Sequence, residues 1–118
     1  MKVVYVAGPF RGNTPWDVEC NVRRAEALAL NVARVGAMPL TPHCNTRFFD
    51  GQLDDAFWLE GTMELLRRCD AVVLAPYWQL SEGTKGEIAE AEALNLPVFE
   101  ELEALVAWLN ERPTCVPS

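Results

Sequence analysis

At 118 residues, half of them hydrophobic and 23% charged, the chain is sized for one core rather than two, and its apolar content argues against disorder. Ten Lys and Arg against seventeen Asp and Glu give a formal net charge of −7, a poor match for a nucleic-acid polymer, whose backbone binds clustered cations. No apolar run approaches the roughly 18–20 residues that span a bilayer, and Met1-Lys2 leads directly into a strand-like run with no signal-peptide pattern, so a cytoplasmic protein without a membrane partner is expected.

The elements alternate from end to end. Lys2–Ala7 is a nearly continuous apolar and β-branched run, the pattern of a strand buried on both faces. It breaks at Gly8-Pro9 into a polar loop through Thr14. A helix is predicted from Pro15, a good first-turn residue, to Val35, with Val18, Val22, Ala25, Ala29 and Val32 at helical spacing and Gly36 ending it. Ala37–Leu40 forms a second strand, followed by a long polar and aromatic loop, Thr41–Gln52. A second helix covers roughly Leu53–Arg68, and Asp70–Ala75 is the third and clearest strand. The loop Pro76–Gly83 leads into a helix from Thr84 to about Leu94. Leu96–Phe99 is a fourth strand and Leu102–Leu109 a last amphipathic helix. Residues 1–111 thus read as a single domain, and 112–118, with two prolines, as a frayed tail.

Strands alternating with helices imply right-handed crossovers and a parallel sheet covered on both faces. Four or five strands are too few for an eight-stranded barrel, which leaves an α/β, flavodoxin-like or Rossmann-like three-layer sandwich. In such sheets ligands bind at the carboxyl ends of the strands, where the strand order reverses. The loops Gly8–Thr14, Thr41–Gln52 and Pro76–Gly83 all fall there. The four cysteines (Cys20, Cys44, Cys69, Cys115) form no C-x-x-C pair and His43 is the lone histidine, so no metal site is expected and the thiols read as buried or idle.

Two loops carry candidate chemistry. In Gly8-Pro9-Phe10-Arg11-Gly12 the glycines permit a sharp turn close to a ligand, and Arg11 supplies a forked cation for phosphate or carboxylate. Neither G-x-G-x-x-G nor a P-loop ending is present, so no nucleotide cofactor is implied. The second, Ser81-Glu82-Gly83-Thr84-Lys85-Gly86-Glu87, enters a helix whose free N–H groups near Gly83 and Thr84, with the Ser81 and Thr84 hydroxyls, suit an anion. Thr84-x-x-Glu87 also fits a capping box, in which the glutamate only satisfies a backbone N–H. Spacing alone favours that capping role; against it stands Gly86, a costly residue in a first helical turn, which removes bulk where a ligand would approach the carboxylate.

Tyr5, Gly8, Arg11-Gly12, Asp70 opening the third strand, and Ser81-x-Gly83-x-x-x-Glu87 with Ala91 beyond resemble the nucleoside 2-deoxyribosyltransferase superfamily. The resemblance is nearest to the 2′-deoxynucleoside 5′-phosphate N-hydrolases and to small bacterial and phage members, and covers Val3 to about Phe99. It implies the flavodoxin-like fold, a small nucleoside or nucleotide partner, no cofactor, and a homo-oligomer in which neighbours complete the cleft. It also implies that Glu87 attacks the anomeric carbon, that Tyr5 orients Glu87, and that Phe10, Arg11 and Gly12 with Ser81 bind a 5′-phosphate. A departing base needs a proton, and the family's aspartate for that task corresponds to Thr62, which is no acid. Asp55, two helical turns earlier, and His43 are the candidate substitutes; the resemblance secures neither. Trp58, Trp78, Tyr77 and Phe48 are aromatic candidates for stacking on a base. A nucleotide-binding module that has lost catalysis is the rival expectation.

Overall fold

The computed structural model describes residues 1–111. The tail expected at 112–118, and Cys115 within it, lie outside the described residues. In chain order the elements are β1 (Val3–Ala7), α1 (Pro15–Arg34), β2 (Met38–Leu40), α2 (Pro42–Asn45), α3 (Asp55–Arg67), β3 (Ala71–Leu74), a 3-10 turn (Trp78–Leu80), α4 (Glu82–Ala93), β4 (Val98–Phe99) and α5 (Leu102–Leu109).

The two most continuously apolar runs, β1 and β3, are the two inner strands. The sheet order is β2-β1-β3-β4 and every pair is parallel, with Val4 opposite Ala71 and Tyr5 opposite Val72. Alternation along the strands divides the core between two faces. Val4, Val6, Ala71 and Val73 pack with Ala25 and Val32 of α1 and Leu105 of α5. Tyr5, Ala7, Val72 and Leu74 pack with Leu66 of α3 and Ala91 of α4. The result is a flavodoxin-like sandwich of α1 and α5, the sheet, then α3 and α4. No helix among the described residues is long and apolar enough to cross a membrane.

Local chemistry sets the boundaries. The Thr14 hydroxyl caps α1 by accepting from the Asp17 N–H. Gly36 ends that helix at φ 101°, a left-handed conformation that costs other residues more. The carboxylate of Asp70 accepts from the Val3 N–H at 2.8 Å and fastens the start of β1 to the start of β3.

Three expected boundaries need correction. The helix expected from Thr84 begins at Glu82, because the Ser81 hydroxyl accepts from the Thr84 N–H and makes Ser81 the cap. The loop Thr41–Gln52 contains α2, started by Pro42 in its first turn. The fourth strand shrinks to Val98–Phe99: Pro97 has no N–H to give a ladder, although its carbonyl still accepts from the Val72 N–H.

Candidate active site

From β1 the chain crosses one face of the sheet through α1 to reach β2, then the other face through α3 to reach β3. The order therefore reverses between β1 and β3, and their carboxyl ends frame the crevice where α/β sheets bind ligands. A cavity of about 390 Å³ opens there, inside the usual range of roughly 300–1,000 Å³ for small-molecule sites. Gly8 makes the close framing possible, since a Cβ on it would stand 2.6 Å from the Cβ of Ala75.

Tyr5 points to the α3/α4 side of the sheet and is fully buried. Its hydroxyl donates to the Glu87 carboxylate across 82 residues of sequence. Burial pushes Glu87 up to about 7, against the Tyr5 hydrogen bond, which lowers it. Burial first, and the charge of Glu87 second, hold the Tyr5 phenol far above its ordinary value, so it remains a donor. With Ser81 as cap, the capping-box position falls on Thr84, and Glu87 lies a turn deeper, on the cavity wall. Beside it, a Cβ on Gly86 would find only Met63 Cε, at 3.9 Å, so this glycine keeps the approach to the carboxylate open.

The loop Gly8–Gly12 is pinned from two sides. Asn21 Nδ2 donates to the carbonyls of Phe10 and Arg11, both at 3.1 Å. His43 Nε2 faces the carbonyls of Gly8 at 3.0 Å and Pro9 at 2.9 Å. At the mouth, the Arg11 guanidinium pairs with Asp55 at 3.2 Å, and both side chains are more than half exposed. Asp50 also borders the mouth.

Of the residues singled out in the sequence, Tyr5, Gly8, Phe10, Arg11, His43, Asp55, Gly83, Thr84 and Glu87 all line this cavity. Pro9 meets it only through the His43 contact. Gly12 borders a neighbouring cavity of about 440 Å³, which shares Phe10 and Arg11 and is walled by Arg47. Ser81 does not line the cleft; its hydroxyl is taken by the helix cap. Thr62 does line it, with its hydroxyl donated to the Trp58 carbonyl at 2.6 Å. Among the four aromatic candidates Trp58 alone reaches the cavity. Phe48 is exposed, Tyr77 lies under Arg24, and Trp78 packs against the core. The Cys69 thiol is pushed up to about 11 by burial, which suits an inert thiol.

Asn21 and Asp50 escaped the sequence reading. Asn21 carries one weak signal, an amide on the turn of α1 that also presents Val18 and Val22 inward.

The family described as a domain of unknown function (DUF7768) matches residues 2–101. No curated protein matches the sequence. Among solved structures, a 2-deoxyribosyltransferase from the psychrotolerant bacterium Bacillus psychrosaccharolyticus aligns with a TM-score of 0.58 at 19% identity, over 84% of this chain and 74% of that one. A 2-deoxyribosyltransferase from Leishmania mexicana aligns with a TM-score of 0.59 at 21% identity, over 83% of this chain and 62% of that one. At these identities the likeness is one of fold.

Proposed function

We propose that this chain, which belongs to the DUF7768 family, cleaves the N-glycosidic bond of a nucleoside or nucleoside 5′-monophosphate, with Glu87 as the nucleophile. The observation that carries the reading is the Tyr5–Glu87 pair on the wall of a switch-point cavity. Similarity in fold to two 2-deoxyribosyltransferases supports it. A carboxylate there bonds to the anomeric carbon as the carbon–nitrogen bond breaks, and the bonding pair leaves with the base, which takes up a proton. Water, or the ring nitrogen of a second base, then attacks the same carbon and frees Glu87. Tyr5 holds the carboxylate in position by donating to it. Arg11 at the mouth suits a 5′-phosphate.

A second reading, a nucleotide-binding module without turnover, is favoured by Thr62. The resemblance puts an aspartate at that position, and here a hydroxyl already bonded to a carbonyl takes its place. One experiment tests both. Nucleosides, 2′-deoxynucleosides and their monophosphates are incubated with the protein, with and without a second free base, and released base is followed chromatographically. The enzyme reading predicts release by the wild type and none by Glu87→Gln. Release without an acceptor marks a hydrolase, and base exchange marks a transferase. Binding without release establishes the module, and no binding by any compound refutes both readings.

A further inference from the structure

Three buried side-chain polar atoms have no hydrogen-bond partner among the described residues: His43 Nδ1, Trp58 Nε1 and Thr84 Oγ1. Their residues all border the same cavity. Leaving such an atom unpaired is costly, so an unpaired polar group on a residue of the cavity wall is a candidate for a ligand contact. Their polarity is informative. Trp58 Nε1 only donates, and a threonine hydroxyl does either. His43 depends on its tautomer, and here the backbone sets it. Carbonyls only accept, so the nitrogen between the Gly8 and Pro9 carbonyls, Nε2, carries the hydrogen. The ring is only 8% exposed, and burial holds it below its usual value, so it stays neutral. Nδ1 is then a bare acceptor.

We propose that His43 Nδ1 accepts a hydrogen bond from an N–H or O–H of the ligand, making His43 a specificity residue of the cleft rather than a proton source. The inference rests on the nucleoside reading above and adds what the ligand must offer: a donor toward His43. The same ring keeps the Gly8–Pro9 turn in place, so reading the ligand and shaping its loop fall to one side chain.

The chain has a single histidine, so its imidazole nitrogens need no assignment among others. Two-dimensional 15N NMR of the free protein should show the tautomer protonated at Nε2; a ring protonated at Nδ1 overturns the proposal before any ligand is added. Calorimetry and the same spectrum then compare 2′-deoxyadenosine with its N6,N6-dimethyl analogue, thymidine with N3-methylthymidine, and each parent with its 3′-deoxy and 5′-deoxy forms. Loss of the Nδ1 shift on base methylation assigns the donor to the base, and loss on hydroxyl removal assigns it to the sugar. The deleted donor should cost roughly tenfold in affinity. In His43→Gln the amide nitrogen can still serve the two carbonyls while nothing replaces Nδ1. This variant should lose that preference and bind the parent and the donor-less analogue alike. If ligands bind but none moves Nδ1, the role of His43 is refuted and the nucleoside reading stands. If no nucleoside binds, that reading fails and this one with it.

Discussion

Replacing Glu87 with glutamine keeps the shape of the side chain and its ability to accept from Tyr5, and removes only the charge. Holding the carboxyl at about 7 rather than 4.5 makes its ionisation in the folded protein harder by about 3 kcal/mol. Between these values the folded protein keeps a proton that the unfolded chain releases, so wild-type stability falls as pH rises from roughly 4.5 to 7. Below that window both states are protonated and the penalty vanishes. Glutamine does not titrate, and every other group is common to both proteins. The variant should therefore match the wild type near pH 4.5 and exceed it by about 3 kcal/mol above pH 8, a Tm gain on the order of 10 °C for a domain this size. The same change should lower base release by orders of magnitude, because the attacking charge is gone. Thermal unfolding of both proteins at pH 4.5 and 8.5, with base release at the higher pH, reads both effects. A Tm difference independent of pH would show that Glu87 is not held in a dry site. Release that survives the substitution would remove it as the nucleophile.

Tyr5→Phe deletes a bond that lowers Glu87, so the rising limb of the pH–rate profile should move above about 7; an unmoved limb separates Tyr5 from the reaction. Asp55→Asn releases the Arg11 guanidinium from an exposed pair worth at most about 1 kcal/mol to stability. It should raise the preference for a monophosphate over its nucleoside several-fold. Arg11→Ala should lower that preference by about tenfold or more, as calorimetry with both ligands would show. Equal losses for the two ligands would mean that Arg11 does not read phosphate. Gly86→Ala should stabilise α4 by about 0.5–1 kcal/mol in denaturant unfolding while weakening ligand binding, since its methyl enters open cavity space; unchanged affinity would place the ligand elsewhere.

The layout of the sheet was legible because β1 and β3 are buried on both faces, and burial leaves a continuous apolar run in the sequence. The last helix was legible to the residue, Leu102–Leu109, since its apolar run stops at Asn110, which is the C-cap. The start of α4 was not. Ser81 and Thr84 are both cap-forming residues, and which one caps depends on the path of the chain after β3 through Tyr77, at φ 66°, and the 3-10 turn. That two-residue shift matters for the site: it takes Glu87 out of the capping box and removes the Ser81 hydroxyl from the expected anion contacts. Spacing alone favoured the capping role for Glu87; the resemblance pointed to the cleft, where the carboxylate lies. In the sequence His43 is a candidate to supply the departing base's proton. Its partners Gly8 and Pro9 are more than thirty residues away, and only the packed fold shows that its donor nitrogen is already engaged. The partners of Asn21 were unreadable for a similar reason, because the carbonyls of Phe10 and Arg11 come within reach only when α1 packs over the loop.

The same geometry constrains where a departing base finds its proton. Thr62 is no acid, and its hydroxyl is bonded to the Trp58 carbonyl. His43 has its N–H directed at two carbonyls, and its Nδ1 has no partner among the described residues. Tyr5 is held in its phenol form and donates to Glu87. Glu87 is the buried group poised near neutrality, yet a carboxylate that attacks the sugar cannot hold a proton for the base in the same step. That leaves the mouth of the cleft, where Asp50 and the ion-paired Asp55 stand in solvent. Under the proposed reaction the nucleophile is thus dry and fixed, while the proton arrives from a solvent-exposed edge. Orientation contributes most where donor and acceptor are both held, so under that proposed reaction the cleft would assist bond formation at the sugar more than departure of the base.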